Sequence, residues 1–299
     1  LLTLNLKTGI SFPKARAKAL DEYFKKYNLD YSLDINSKKY AKYPSDITSN
    51  SNLDINTFIN QPNNILGIEY IKALMRFNSK INPVPLKRLG AGYHSLDTRT
   101  KLASATGIRT AMANKDNISG LLPDNCLNII KNHTTIEYND FSTVLGSKLL
   151  SMDTLDHIEG INQDLSNRIA NNKYNFTDIE TFMPMLQSKN YTYSAISRAL
   201  LHIILDIKTD GLKEFISNNY VNYAMILGFN KNTGVLSEIS KSTKIPLVSK
   251  FATFYKEADN NQRKMLDINL KADNLYRMIY MNKTSETLPT EFQRQIIIK

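Results

Sequence analysis

The spacing of apolar residues along the chain predicts a mainly helical protein with a few short strands. An apolar stripe on a polar background is typical of an amphipathic helix. Such stripes predict helices in residues 10–27, 65–77, 102–115, 141–152, 160–172, 178–188, 191–207, 234–243 and 264–280, and a turn and short helix in residues 120–133. Short apolar runs predict strands in residues 84–89, 223–230 and 245–254. The polar residues 28–60 predict a loop or flexible insertion.

The pattern of predicted elements changes near residue 118, within the turn-forming stretch "DNISGLL". We therefore predict two domains, residues 1–118 and residues 119–299. At 299 residues with 42% hydrophobic content, the chain is long enough to build a core in each.

The charge balance suggests a polyanionic partner. The chain has 38 Lys and Arg against 28 Asp and Glu, a formal net charge of +10, and we expect a large basic second half to meet nucleic acid. Solubility alone is the alternative explanation.

The single Cys126 excludes a Cys-based zinc site and fits a reducing compartment. No apolar run is long enough for a membrane helix, and no signal-peptide pattern begins the sequence, so we expect a cytoplasmic protein without membrane contact.

The stretch "PNNILG" places two adjacent amides before a helix that we expect to be buried. Pro62, Asn63 and Asn64 are typical of a turn, and Asn is a common N-cap. A ligand-facing loop is the alternative, because the free N–H groups at a helix N-terminus favour phosphate.

Two further stretches carry groups that suit a phosphate. In "SATGIR", Ser104 and Thr106 offer hydroxyl groups at the start of a predicted helix, and Arg109 offers a fork-shaped cation. An N-cap followed by an Arg one turn later is the equal alternative. In "LKRLGAGYH", Arg88 ends a predicted strand before two glycines that permit close backbone approach. A glycine turn beside solvated cations explains that pattern as well.

The second half offers candidates for RNA contact. Arg168 follows "GINQDLSN", and Lys189 and Arg198 flank tyrosines in "SKNYTYSAISRALL". Tyrosines among cations suit base stacking and phosphate contact, although a solvated helix face would look the same. The four histidines have no metal-type spacing, so we expect no metal site built from them.

Together these blocks resemble the bacterial tRNA(Met) cytidine acetate ligase family, a branch of the HIGH-type nucleotidyltransferases. The resemblance rests on the order of "FPKARAKAL", "PNNILGIEYIKAL", "PVPLKRLGAGYHS", "ASATGIR", "EGINQDLSNRI", "KNYTYSAISRALLHIILDI", "YAMILGFN" and "IPLVSK". It implies an α/β protein in which the C-terminal portion of a Rossmann-like nucleotidyltransferase domain precedes a mainly helical α+β domain that binds tRNA.

The resemblance also implies an activity and a site. The family uses ATP and acetate to make acetyl-adenylate, and it passes the acetyl group to N4 of the wobble cytidine of elongator tRNA(Met). ATP would contact Asn63, Arg88 and Leu89, with Mg²⁺ accompanying the nucleotide. Ser104, Thr106 and Arg109 would lie on the phosphate side.

One family motif is missing, because no His-x-Gly-His occurs in the sequence. We therefore expect this chain to be the C-terminal part of a longer protein, and we expect it to bind ATP poorly and to lack ligase activity alone. Two alternatives stay open. One is another HIGH-type nucleotidyltransferase that makes a small dinucleotide-like product, and the other is a non-catalytic RNA-binding module.

Overall fold

The chain is described by a computed structural model that divides it into two compact units, Leu1–Leu121 and Leu122–Lys299. The described residues are 1–10, 12–26, 61–86, 103–218 and 220–299. The border between the units falls near the predicted domain boundary at residues 118 and 119. The functions assigned to the two parts stay predictions.

The first unit contains four described helices, α1 (Leu2–Lys7), α2 (Phe12–Lys26), α3 (Pro62–Arg76) and α4 (Ala105–Ala113). Helix α1 packs against α2, and α2 buries its alanines at positions 15 and 19. The predicted strand at residues 84–89 is wrong over residues 84–86, which have no regular structure. Its remaining residues lie outside the described part of the chain.

The second unit is mostly helical. Its helices are α5 (Asp124–Lys131), α6 (Ser142–Ser151), α7 (Gln163–Asn172), α8 (Ile179–Leu186), α9 (Tyr193–Leu205), α10 (Thr209–Ser217), α11 (Val235–Ser242), α12 (Phe251–Glu257) and α13 (Asn260–Thr284). Two single-turn 3-10 helices, Tyr138–Phe141 and Lys173–Asn175, precede α6 and follow α7.

Helices α6 to α9 enclose the core of this unit. Its fully buried members include Leu145, Leu165, Ile169, Ile179, Phe182, Met183, Leu186, Ile196 and Ile203. The Phe176 ring meets the Phe182 ring edge-on at 5.0 Å between centroids, a geometry that aromatic pairs favour. Side-chain caps start three of these helices, because Asn162, Asp178 and Thr192 accept bonds from the N–H groups of Leu165, Thr181 and Ala195.

The strands are shorter than the sequence predicts. Residues 223–230 form two separate strands, β1 (Ala224–Met225) and β2 (Gly228–Phe229). Strand β1 pairs in parallel with β3 (Leu247–Val248), and β2 pairs in parallel with β4 (Ile297–Ile298). The predicted strand at residues 245–254 is correct only for β3, because helix α12 begins at Phe251.

The long helix α13 fastens other parts of the second unit. Its Lys283 Nζ donates to both carboxylate oxygens of Asp140, at 3.0 and 2.8 Å, and to the carbonyl of Thr135 at 3.1 Å. Burial of the Asp140 carboxyl opposes ionisation, but the bonds from the Glu137 N–H and the Lys283 ammonium outweigh it and hold the pKa of Asp140 below its ordinary value. The Nζ of Lys271 donates to the Leu205 carbonyl at the end of α9, at 2.7 Å, where a cation suits the helix dipole.

Candidate functional site

The start of α3 differs from the predicted turn. Pro62 is the first helical residue, and the N-cap is Gln61, whose side chain makes no capping bond. Asn63 and Asn64 therefore lie in the first turn of the helix, and the prediction that an Asn caps it is wrong. Proline suits this position because its missing N–H is one that the helix leaves unpaired anyway.

This arrangement leaves a polar side chain at an uncapped helix start. The Asn63 side chain is exposed and has no hydrogen-bond partner within the described part of the chain. The N–H groups of this turn have no capping oxygen from Gln61, so they suit an anionic ligand. The rest of α3 is not the buried helix that the sequence predicts, since Tyr70 is 63% exposed and Met75 is 76% exposed.

At the start of α4, the structure places Ser104 in the capping role. Its side chain is buried, and its Oγ accepts a bond from the N–H of Gly107 at 2.9 Å. The cap therefore uses one N–H group that a phosphate would otherwise take. Thr106 is half-buried and Arg109 is exposed, so these two side chains remain the better candidates for a phosphate contact in this stretch.

The predicted ATP contacts Arg88 and Leu89 lie outside the described residues, as do Gly90, Gly92 and His94.

An ion pair that the sequence did not predict connects α2 to α3. The Nη2 of Arg16 lies 3.1 Å from Oε1 of Glu69, and the Arg16 side chain is only 15% exposed. Glu69 also accepts bonds from Lys72 one turn later. The Lys72 bond and the nearby charges of Lys72 and Arg16 lower the pKa of Glu69, against a smaller opposing effect of burial. One ion pair thus connects α2 to the helix that carries Asn63.

In the second unit, two helix starts meet through a side-chain bond. The Tyr191 hydroxyl donates to Oδ1 of Asn162, the oxygen that also caps α7. Burial is the main cause that raises the pKa of Tyr191. Arg168 lies one turn into α7, where its Nε donates to Asp164 Oδ2 at 3.2 Å. Its two terminal nitrogens have no partner in the described residues, so they are available to contact a phosphate.

The other two RNA candidates flank this network. Lys189 is exposed at the tip of a tight turn closed by the Tyr191 N–H and the Ser188 carbonyl. Arg198 is exposed on α9, about 9 Å along the helix from its cap. The structure brings Arg168, Tyr191 and Lys189 to one region, while it gives no contact between Arg198 and Arg168.

The charge distribution contradicts the expected basic second half. Residues 1–121 contain 18 Lys and Arg against 9 Asp and Glu, whereas residues 122–299 contain 20 against 19. Nearly all of the excess positive charge therefore belongs to the first unit. Long-range attraction of a polyanion depends on this excess, so it originates mainly in the first unit.

Other features of the described residues add no competing site. A small cleft is lined by residues such as Phe251, Glu291 and Arg294, and it contains none of the predicted site residues. Within these residues, no group of three metal-binding side chains occurs. Among the helices described, none combines the length and the apolar character needed to cross a membrane.

Comparison with known proteins assigns the chain to a family. The sequence model of the HIGH Nucleotidyl Transferase family matches residues 1–291, and the chain belongs to this family. The chain is 32% identical over 300 residues to a tRNA(Met) cytidine acetate ligase of Clostridium acetobutylicum, covering 98% of this chain and 67% of that protein. It is 30% identical over 287 residues to the protein of that name from Thermoanaerobacter sp. (strain X514), covering 93% of this chain and 64% of that protein.

Solved structures show the same fold. The crystal structure of apo Thermotoga maritima TmcAL has a TM-score of 0.79 and 23% sequence identity, and the match covers 99% of this chain and 69% of that chain. The same protein bound with alpha-thio ATP has a TM-score of 0.78, at 23% identity, with 99% and 68% coverage. The predicted α/β fold class is confirmed, in the form of a mainly helical chain with small parallel sheets.

Proposed function

We propose that this chain is part of an ATP-dependent ligase that forms N4-acetylcytidine at the wobble position of elongator tRNA(Met). The observation that carries the proposal is the family match over residues 1–291, together with relatives named tRNA(Met) cytidine acetate ligase at about 30% identity. The chain spans 64% of the length of the Thermoanaerobacter relative.

The reaction has two steps with a common electrostatic need. A carboxylate oxygen of acetate attacks the α-phosphorus of ATP, and pyrophosphate leaves with its electron pair. The N4 amine of cytidine then attacks the carbonyl carbon of acetyl-adenylate, AMP leaves, and the amine loses a proton. Negative charge develops on the phosphates in the first step, so fixed cations and N–H groups aimed at them lower the barrier.

We assign the nucleotide to the first unit. Asn63 and the first turn of α3 would bind the phosphates or ribose with side-chain and backbone groups, and Arg88 and Leu89 would supply a cation and a backbone contact. Thr106 and Arg109 would lie toward the phosphates, and Ser104 would shape that loop as a cap. Mg²⁺ would travel with ATP, since in such sites the phosphates and water provide many of its ligands.

We assign the tRNA to contacts that include the second unit. Arg168 and Lys189 would meet the phosphate backbone, and Tyr191 lies between them as a ring held by its bond to Asn162. Arg198 would add a phosphate contact on α9. A ring that is already fixed loses little entropy on binding. ATP, acetate and tRNA are all available in the cytoplasm, where we place the protein.

An acetate-dependent exchange of labelled pyrophosphate into ATP tests the first step. We would measure it for the 299-residue chain and for the longest protein that its gene encodes. Exchange that requires acetate supports the ligase. Exchange without acetate, or transfer of the nucleotide to another acceptor, supports a different nucleotidyltransferase. Salt-sensitive tRNA binding without any exchange supports the RNA-binding module.

A further inference from the structure

A row of lysines on α2 forms the most regular cationic face in the described part of the first unit. Lys14, Lys18 and Lys25 are exposed. At 100° per residue they fall within about 40° of one another around the helix, and they span about 16 Å along its axis. The same spacing places Asp21 on this side of the helix, between Lys18 and Lys25. We call these three side chains the α2 lysine face.

Only one lysine of the α2 lysine face has an ion-pair partner among the described residues. Lys14 and Lys18 have no acidic partner among the residues that the structure describes. Lys25 lies 2.7 Å from Asp21 in an i,i+4 pair whose lysine is 73% exposed. An exposed pair of this kind contributes little free energy, so a phosphate can replace Asp21 as the partner of Lys25. Other sides of α2 are occupied, because Ala15 is fully buried and Arg16 pairs with Glu69.

We propose that the α2 lysine face binds the phosphate backbone of RNA. The inference rests on the proposed function, which supplies tRNA as the partner, and it assigns an RNA contact to the first unit. The excess charge of residues 1–121, 18 cationic against 9 acidic residues, is complementary to a polyanion. Three cations over about 16 Å outnumber the one acidic residue among them, Asp21, and they suit a strand that passes several phosphates along the helix.

Helix α2 is connected to the helix of the proposed nucleotide site. Arg16 forms an ion pair with Glu69 of α3, and Glu69 lies about 9 Å along α3 from Asn63, the proposed ATP contact. RNA held along α2 is therefore held by a helix that is ion-paired to the helix of the proposed nucleotide site. Such an arrangement would bring the acceptor base to the unit where acetyl-adenylate forms. The second unit, with 20 cationic and 19 acidic residues, does not supply the positive charge that attracts RNA there.

A pair of charge-matched triple variants tests the proposal. Lys14→Gln, Lys18→Gln and Lys25→Gln are combined in one variant. The control combines Lys231→Gln, Lys241→Gln and Lys244→Gln, three exposed lysines of the second unit without ion pairs within the described residues. Both variants remove three positive charges. Binding of a labelled elongator tRNA(Met) transcript to the 299-residue chain is measured by fluorescence anisotropy at several KCl concentrations.

We expect the slope of log K against log[KCl] to fall in magnitude by about two units in the α2 variant, since each phosphate contact contributes about 0.7 to 0.9. The control keeps the wild-type slope. An equal fall in the slope for both variants would mean that only the net charge matters. An unchanged slope in the α2 variant would mean that the α2 lysine face contacts water and not RNA. Either result overturns the proposal, as does wild-type binding that is insensitive to salt.

ATP binding separates this proposal from the proposed function. In the longest protein that the gene encodes, we expect the three lysine substitutions to leave ATP binding at the wild-type level, since none of the three lysines is assigned to the nucleotide. A parallel loss of ATP affinity would assign the face to the nucleotide and overturn the RNA contact. Failure of acetate-dependent pyrophosphate exchange, with lysine-dependent RNA binding intact, would refute the ligase reaction and leave the α2 lysine face in place.

Discussion

Replacing Lys283 with methionine measures how strongly α13 is fastened to the beginning of the second unit. The substitution removes three hydrogen bonds from the ammonium group, two to Asp140 and one to the Thr135 carbonyl. The two side chains are 35% and 21% exposed, between a surface pair and a buried one. We expect a loss of about 1–2 kcal/mol in the free energy of unfolding. For a unit of this size the melting temperature falls by about 3–6 °C, measured by circular dichroism.

The pH dependence of that loss has a definite sign. The folded-state pKa of Asp140 is lowered from 3.8, so its ionised form stabilises the fold above the unfolded-state pKa. This contribution is lost as the pH falls through the folded-state pKa. Removing Lys283 moves the folded-state pKa back toward its ordinary value. The stability gap between wild type and variant is therefore constant well above the unfolded-state pKa, and it shrinks as the pH falls from that pKa through the folded-state pKa.

Lys264→Met is the matched control on the same helix. Lys264 pairs with Glu214 at 2.6 Å, but the two side chains are 45% and 39% exposed, and we expect a loss below about 0.5 kcal/mol. Equal losses for the two variants would refute the reasoning from burial and bond number. A gap for Lys283→Met that persists unchanged at pH 2.5 would refute the role of Asp140 as its partner.

Three other predictions concern the site and the core. In the intact enzyme, Arg88→Ala raises the ATP KM or lowers kcat by about 10²-fold in steady-state kinetics, and unchanged kinetics would remove Arg88 from the site. Arg198→Ala lowers the salt slope of tRNA binding by about one unit, and an unaltered slope would make it a structural residue. Phe182→Ala lowers the free energy of unfolding by about 3–5 kcal/mol in urea titrations, because its ring is fully buried; a loss under 1 kcal/mol would contradict the core assignment.

The helices of the second unit were predictable because their signals are local. Helix α9 occupies Tyr193–Leu205, within the predicted residues 191–207, and its Thr192 cap is one of the residue types that favour helix starts. Helix α7 likewise starts after a capping Asn162. At α3, the signal that could have found the start is Pro62, since proline at the first helical position is common.

The strands were predicted less well, because their partners are distant in the chain. Strand β2 pairs with β4, at Ile297–Ile298 near the end of the chain, and no local pattern records that pairing. The run "IPLVSKFATF" is apolar enough for a strand, yet most of its second half is helical. Short apolar runs do not distinguish a strand from a helix by periodicity alone.

The candidate site was predictable in its residue types but not in its connections. The contacts Arg16–Glu69 and Tyr191–Asn162 join residues 53 and 29 positions apart, so only the fold brings them together. The charge difference between the units was countable from the sequence. It appears only when the count is divided at the border between the units, near residue 121.

Analysis of modified nucleosides tests the central claim most directly. Elongator tRNA(Met) transcript is incubated with ATP, acetate and the longest protein that the gene encodes, then digested and examined by mass spectrometry. We predict N4-acetylcytidine at the wobble position that depends on both ATP and acetate and is absent when that cytidine is replaced by uridine. Active pyrophosphate exchange without any acetylated cytidine would contradict the account.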